Sequence, residues 1–326
     1  MGKISNAVMA VGIAAAAFAF SAPVAQADTW PSRPIRMVVG FGAGGGTDII
    51  ARLVAQPLSE ILGQPVVVEN KPGAGGTIGA DTVAKAAKDG YSIFMMNNGH
   101  AVSASLYKTL PYHSAKDFAP VSLVATMPLI IAANKDLPVA DLKALVARAK
   151  AEPNKLRFAS VGVGSTQHFV GAVFATMAGV QIRHVPYRGT PAAIAATRSG
   201  EVELVVEVAS PLIGQIKGNE LKALAVSSAQ RYEVLPNVPT VAEAGISGFD
   251  ISTWYGLAFP AGTPVDIVNK MNAAINRAVT TDAVRKQILD ASFIPASNTP
   301  SQFAAHLDSE IARWGAVMKE AGVQQQ

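Results

Sequence analysis

The sequence predicts an α/β protein of two lobes, each a mainly parallel sheet flanked by helices, with a ligand cleft between them. Three observations carry this. Short apolar runs such as Met37 to Val39, Val66 to Val68 and Tyr91 to Met96 read as strands buried on both faces. They alternate with stretches of helical period, as in a parallel sheet. A strand–glycine–helix unit near the start, Ile35 to Leu53, has a counterpart at Leu156 to Ala178, so one plan is used twice.

In chain order, Met37 to Val39 run into Gly40, Gly42, Gly44, Gly45 and Gly46, with Thr47 and Asp48 as N-cap candidates for a helix to about Leu62. Gly63 and Pro65 stop that helix. A second strand ends at Glu69, and a second glycine loop, Gly73 to Thr77, leads into a helix from Ile78 to Ala87. The loop reads more readily as a sheet-packing turn than as part of a site, because ligands bind on the crevice side of such sheets. After the third strand comes the polar segment Asn97 to His100, and then separate strands at Val121 to Val124 and Leu129 to Ala133.

The plan then restarts. Val139 to Ala151 is amphipathic; Leu156 to Ser160 is a strand that enters Gly162, Gly164, Ser165 and Thr166. Thr190 reads as an N-cap with Pro191 at the first helical position. Val202 to Val208 and Leu221 to Val226 are strands. Arg231 to Gly248 is a polar loop with one short helix, and Phe249 to Phe259 is extended around Trp254 and Tyr255. Three helices close the chain, at Pro264 to Val279, Asp282 to Ala291 and Pro300 to Ala321.

Length and composition set the class. The chain has 326 residues, half of them hydrophobic and 15% charged, enough for two cores and too apolar for long disordered tails. A formal charge of +4 without a clustered basic stripe argues against nucleic-acid binding. Residues 1–27 read as a cleaved export signal: Lys3, an apolar stretch from Val8 to Phe20, then Ala25-Gln26-Ala27, with cleavage after Ala27. With no cysteine there are no disulfides, thiolate metal sites or lipidated anchors. Periplasmic residence follows as the expectation, with no cofactor.

The glycine loops are the chemistry. Glycine lets backbone approach a ligand, and free N–H groups at a helix N-terminus favour an anion. Two such loops facing one crevice would clamp a carboxylate from both sides. The five histidines show no metal spacing, and no nucleophile elbow or P-loop lysine is present, so neither a metal site nor catalysis is expected. His100 and His168 adjoin the cleft segments, and Arg188 stands beside Gly189. Gly40-x-Gly42-x-x-Gly45 with Glu69 also fits a dinucleotide fingerprint, so an NAD(P)-dependent oxidoreductase is the rival reading; the export signal opposes it.

Several segments carry a family resemblance: Trp30 to Arg36, Gly44 to Arg52, Gly63 to Gly76, Lys116 to Ser122, His184 to Gly189 and Leu235 to Gly245. The chain resembles the substrate-binding receptors of tripartite tricarboxylate transporters, the Bug-type extracytoplasmic solute receptors. The resemblance implies the type II periplasmic-binding-protein fold, with residues 28–126 and 249–326 in lobe 1 and 127–248 in lobe 2. It implies a monomer that captures a di- or tricarboxylate, an aromatic carboxylate or an acidic amino acid. The ligand would be delivered to the membrane components of a transporter, or reported to a membrane sensor.

Carried over from the family's loops, the ligand-binding residues are Phe41, Gly42, Ala43, Gly44, Gly45, Thr47 and Asp48, then Asn98 and His100, then Gly162, Gly164, Ser165 and Thr166, and finally Glu207 at a strand end. Two positions depart from the family. Gly42-Ala43 stands where two prolines are usual, and Glu207-Val208 stands where Asp-Asn is frequent.

Overall fold

A computed structural model describes residues 30–320 and residue 325. The expected export signal and its cleavage site lie outside these residues. The elements run β1 (Ile35–Val39), α1 (Gly46–Leu62), β2 (Val66–Asn70), a 3-10 turn (Ala74–Gly76), α2 (Thr77–Ala84), β3 (Ser92–Asn97), α3 (Asn98–Leu106) and β4 (Phe118–Asn134). Next come α4 (Leu142–Ala151), β5 (Arg157–Ser160), α5 (Thr166–Met177), β6 (Arg183–Pro186), α6 (Thr190–Arg198), β7 (Leu204–Val208), α7 (Ala209–Lys217) and β8 (Leu221–Val226). The chain finishes with β9 (Ser252–Pro260), α8 (Val265–Thr280), α9 (Asp282–Asp290), β10 (Ile294–Pro295) and α10 (Pro300–Glu320).

The strands pair in the order β2-β1-β3-β9-β4-β7-β5-β6, and β8 and β10 also pair with β4. The outer pairs are parallel, β1 with β2 and β3, β5 with β6 and β7. The centre is antiparallel, because β4 and β9 run against their neighbours. The two strands expected at 121–124 and 129–133 are one strand of 17 residues. Its first part pairs with β9 from Phe118 to Pro128; its second pairs with β7 from Leu129 and with β8 from Ile130. Register shifts along β4 bend it, as bulges do, and let one strand serve both halves.

The chain passes between the halves a second time beside β4. Ser227, fully buried, accepts the Leu129 N–H at its hydroxyl (2.8 Å) and donates that hydroxyl to the Ile251 carbonyl (2.5 Å). Its own N–H goes to Leu129 O, and its carbonyl accepts from Ile251 N–H. One serine thus ties the outgoing strand to the returning segment, and buried backbone groups at the crossing stay satisfied.

Differences from the sequence reading are local and have physical causes. Segment 97–100 is not a loop: Asn97 accepts the Gly99 N–H at its side chain (2.9 Å) and caps α3. The short helix expected within 231–248 is a capped turn, in which Thr240 N–H donates to Glu243 and Glu243 N–H donates back to the Thr240 hydroxyl. Helix α4 begins at Leu142, because Asp141 accepts the Ala144 N–H and sets the start there.

His100 belongs to the core and not to the cleft surface. It stacks on Tyr112 (5.6 Å between centroids) and meets Phe118 edge-on (4.8 Å), and its Nε2–H donates to Ser114 O at 2.7 Å. Burial pushes its pKa down to about 4. The native state therefore refuses a proton that the unfolded chain accepts near the ordinary value of about 6.5. This contribution is whole above pH 6.5 and is lost as pH falls toward 4. In denaturant unfolding between pH 7 and 4.5 His100 should account for up to about 3 kcal/mol of the fall, beside the share of half-buried His184, whose pKa is also pushed down, and His100→Leu should make the slope shallower by its share; an unchanged slope would remove His100 as a cause.

Candidate functional site

A cavity of about 610 Å³ lies where the loops of both halves meet. Its first wall is the loop from β1 to α1. Gly40, Phe41, Gly42, Gly45, Gly46 and Thr47 line it. The helix starts earlier than the cap candidates imply. Gly45 is the N-cap, and Thr47 and Asp48 sit inside the first turn. The first helical hydrogen bond is Ile49 N–H to Gly45 O, so the amides of Gly46 and Thr47 are spare donors at the cavity wall.

Asp48 is buried behind this loop and does not line the cavity. Its Oδ2 accepts the Gly44 N–H (3.0 Å), and its Oδ1 accepts from Arg52 Nε (3.0 Å) and Asn70 Nδ2 (2.9 Å). Burial works against its charge, yet the Arg52, Gly44 and Asn70 hydrogen bonds outweigh it and hold the carboxyl below the usual range. Asn70 also donates to Phe41 O at 2.9 Å, so Asp48 and Asn70 together shape the loop. Ala43 and Gly44 form the exposed crown of the loop and do not line the cavity.

The second wall is the glycine loop after β2, read from sequence as a packing turn. Pro72 to Gly76 line the cavity. Gly75 has φ +65°, and a Cβ there would come within 2.9 Å of the Gly164 backbone. The loops of the two halves thus touch glycine to glycine. The signal was present in Gly75-Gly76-Thr77, which repeats the small-residue helix entry of the first loop. The side it faces depends on the topology.

The other half supplies three helix starts. Ser165 caps α5: it donates its hydroxyl to Gly162 O (2.7 Å) and accepts the His168 N–H, so it is fully buried and does not line the cavity. Gly162, Thr166 and Gln167 do line it. The Thr166 hydroxyl, also buried, has no hydrogen-bond partner among the described residues. Gly164 does not line the cavity either, because it packs under Tyr107 and against Gly75. His168 lies behind the loop, stacked on His184 at 4.0 Å, with its Nδ1 accepting the Gly164 N–H.

At α6 the N-cap is Gly189, and Thr190 is the first helical residue instead of the cap. Its hydroxyl goes elsewhere: it donates to Glu207 Oε2 at 2.8 Å. Arg188 and Tyr187 also line the cavity; neither was in the carried-over set. Among the described residues no acid pairs with Arg188, whereas Tyr187 donates to Glu201 (2.7 Å).

Glu207 itself is fully buried behind the wall. Its Oε1 accepts from Gln167 Nε2 (2.5 Å) and from the Val208 N–H (2.8 Å). Burial pushes its carboxyl up, against these hydrogen bonds, which favour the charged form.

The floor is Asn97, Val208, Thr253 and Tyr255. Asn97 also donates to the Thr47 hydroxyl at 3.0 Å. Asn98 is turned away, donating to Ser252 O at 3.0 Å. Trp254 is a packing residue whose Nε1–H donates to Glu310. Glu69, the acid of the dinucleotide reading, does not line the cavity and lies between Arg36 and Lys71, 3.3 Å from each.

Comparison with known proteins is consistent across sequence and structure. A model of the tripartite tricarboxylate transporter family receptor matches residues 50–323. The chain is 38% identical over 321 residues to the UPF0065 protein in the tcbD-tcbE intergenic region of Pseudomonas sp. (strain P51), covering 98% of this chain and 96% of that one. It is 37% identical over 322 residues to protein BugT of Bordetella pertussis, covering 98% of each. Among solved structures, an R. palustris protein with adipate superposes with TM-score 0.88 at 35% identity, over 91% of this chain and 100% of that one. MatC from Rhodopseudomonas palustris with bound malate gives 0.83 at 34%, over 88% and 99%.

Gly46 is tightly enclosed between the two halves. A Cβ there would stand 2.6 Å from Val208 Cγ2 and 2.7 Å from the Tyr255 hydroxyl oxygen. Both neighbours are buried, so they cannot swing into solvent. Gly46→Ala should cost about 1–3 kcal/mol by overpacking, measured as a shift of the urea midpoint with unchanged slope. A loss near zero would mean that the helix start moves freely.

Proposed function

The chain belongs to the tripartite tricarboxylate transporter family of receptors, and from that premise we propose that it is a periplasmic receptor that captures a small organic carboxylate. The observation that carries this is the convergence of helix starts. Helices α1, α5 and α6 each bring their first turn to one cavity, and α3 and α7 bring their capping residues, Asn97 and Val208. Spare amides and helix dipoles favour an anion. Arg188 adds a positive charge with no acidic partner among the described residues, and a guanidinium can grip a carboxylate with two donors.

The proposed gripping groups are the Gly45, Gly46 and Thr47 amides, the Thr166 hydroxyl and Arg188. Phe41, Gly42 and Gly162 shape the space around them. Lobe 1 is taken as residues 28–126 with 249–326, and lobe 2 as 127–248. The Gly75–Gly164 contact present here is assigned to the closed form, and ligand shifts the balance toward that form by the contacts found only there. Adipate and malate in the related structures support a carboxylate of modest size. Delivery to the transporter's membrane components follows the family, and an export signal at residues 1–27 would place the receptor where such delivery happens.

The test is thermal unfolding of the protein lacking residues 1–27 against di- and tricarboxylates, aromatic carboxylates, acidic amino acids and NAD(H). A true ligand at 100 times its dissociation constant should stabilise by about 2.7 kcal/mol, a shift of a few degrees. Stabilisation by NAD(H) with silence from every carboxylate would sink the receptor reading. In the same assay Gly75→Ala should destabilise the unliganded protein by about 1–2 kcal/mol, the cost of a left-handed alanine, and should also lose most of the ligand-dependent shift; a full shift would show that the Gly75–Gly164 approach is not part of the bound state.

A further inference from the structure

We infer that Glu207 makes the cavity wall beside the first glycine loop a hydrogen-bond acceptor, and so selects a carboxylate that carries a hydroxyl or amino donor next to its carboxylate group. This rests on the carboxylate reading of the site and adds a ligand class to it.

Every partner of Glu207 donates a hydrogen bond to it. The Val208 N–H is a donor and nothing else. Gln167 Nε2 and the Thr190 hydroxyl complete the set. Thr190 and Gln167 are the first and second residues of α6 and α5, so the positive ends of two helices surround the carboxylate. No lysine, arginine or histidine pairs with it among the described residues. Three donors and two helix ends suit a carboxylate, which accepts only.

The consequence reaches the cavity through the two side chains that line it. Thr190 has one hydroxyl proton and spends it on Glu207; what remains is lone pairs. Gln167 turns its amide N–H₂ to Glu207, which leaves its carbonyl oxygen as the free end. The wall therefore presents oxygen acceptors where a ligand group would stand. A second carboxylate there would face oxygen acceptors with no donor to meet it from these two side chains. A hydroxyl or ammonium would be satisfied.

The position of the acceptor is readable too. A Cβ on Gly45 would lie 3.0 Å from Thr190 Oγ1. The acceptor thus stands against the same loop whose amides hold the ligand carboxylate, not at the far end of the cavity. A donor that reaches it belongs on the carbon beside that carboxylate. The ligand class is a 2-hydroxy or 2-amino acid.

Replacing Glu207 with glutamine reverses the logic. The Val208 N–H and Gln167 still need an acceptor, so the new amide keeps its oxygen toward them. Its N–H₂ then donates to Thr190 Oγ1, and the Thr190 proton is freed for the cavity.

The experiment is calorimetric or fluorimetric titration with matched sets: succinate, malate and aspartate; adipate, 2-hydroxyadipate and 2-aminoadipate; 3-phenylpropanoate, 3-phenyllactate and phenylalanine. Wild-type protein should bind the substituted member of its preferred set at least about tenfold more tightly than the plain acid. E207Q should bring that ratio to about one or invert it. Thr190→Ser should keep the preference and Thr190→Val should lose it, which decides the matter if E207Q does not fold. A plain acid bound as tightly as its substituted partners, or a ratio unmoved by E207Q, overturns the inference and leaves the carboxylate reading intact. Failure of every member of every set to bind overturns both.

Discussion

A single strand, β4, holds this molecule together. Its 17 residues pair with β9 on one side of Pro128 and with β7 and β8 on the other, so the backbone hydrogen bonds of both halves end on one segment. Ser227 fastens the returning chain to the same point through Leu129 and Ile251. Two peptide segments crossing side by side can bend together without losing their ladders on either side. This is the arrangement a hinge requires: rigid bodies on both sides and few dihedrals between them. The cavity lies beyond the ends of the parallel strands because β4 and β9 turn the two strand sets toward each other.

The close approach of the halves depends on glycine. Across the halves Gly75 packs on Gly164 and Gly46 on Val208, and within the first half Gly40 packs on Gly76 and Gly46 on Tyr255, at separations where a methyl group would meet backbone or buried side chain. The glycines therefore serve two ends. They leave amide donors bare at the cavity wall, and they remove the side chains that would hold the loops apart. The cost is conformational entropy in the unfolded chain, offset by the burial of strands that flank each loop.

Two buried carboxylates near the cavity have opposite roles because of their partners. Asp48 has Arg52 beside it and uses its remaining capacity on Gly44 N–H and Asn70, so it is consumed in shaping the first loop. Glu207 has no such cation among the described residues and is satisfied by Gln167, Thr190 and Val208 N–H. The first is neutralised in place. The second draws the donors of Gln167 and Thr190 toward itself, and that is felt through the same two side chains at the ligand space. Arg188 stands in the wall with its charge uncommitted among the described residues.

The sequence by itself determined most element types and their order, because buried strands, glycine turns and apolar helix faces leave period and composition signatures that need no neighbours; it did not yield α3 or α7, two helices of nine residues that follow strand ends directly. It also determined that Phe41 to Thr47 and Gly162 to Thr166 are helix entries rich in spare donors. What it left open is which side chains face the cavity. His100 follows a polar strand end yet stacks into the core, since Phe94, Tyr112 and Phe118 arrive from distant positions to enclose it. Thr190 has the sequence of a cap, but Glu207 on β7 takes its hydroxyl. The second glycine loop looked like a turn behind the sheet and instead lines the cavity, because the other half folds over it. Tertiary structure decided these because the facing of a loop and the partner of a polar group depend on residues far along the chain, and no local pattern carries that information.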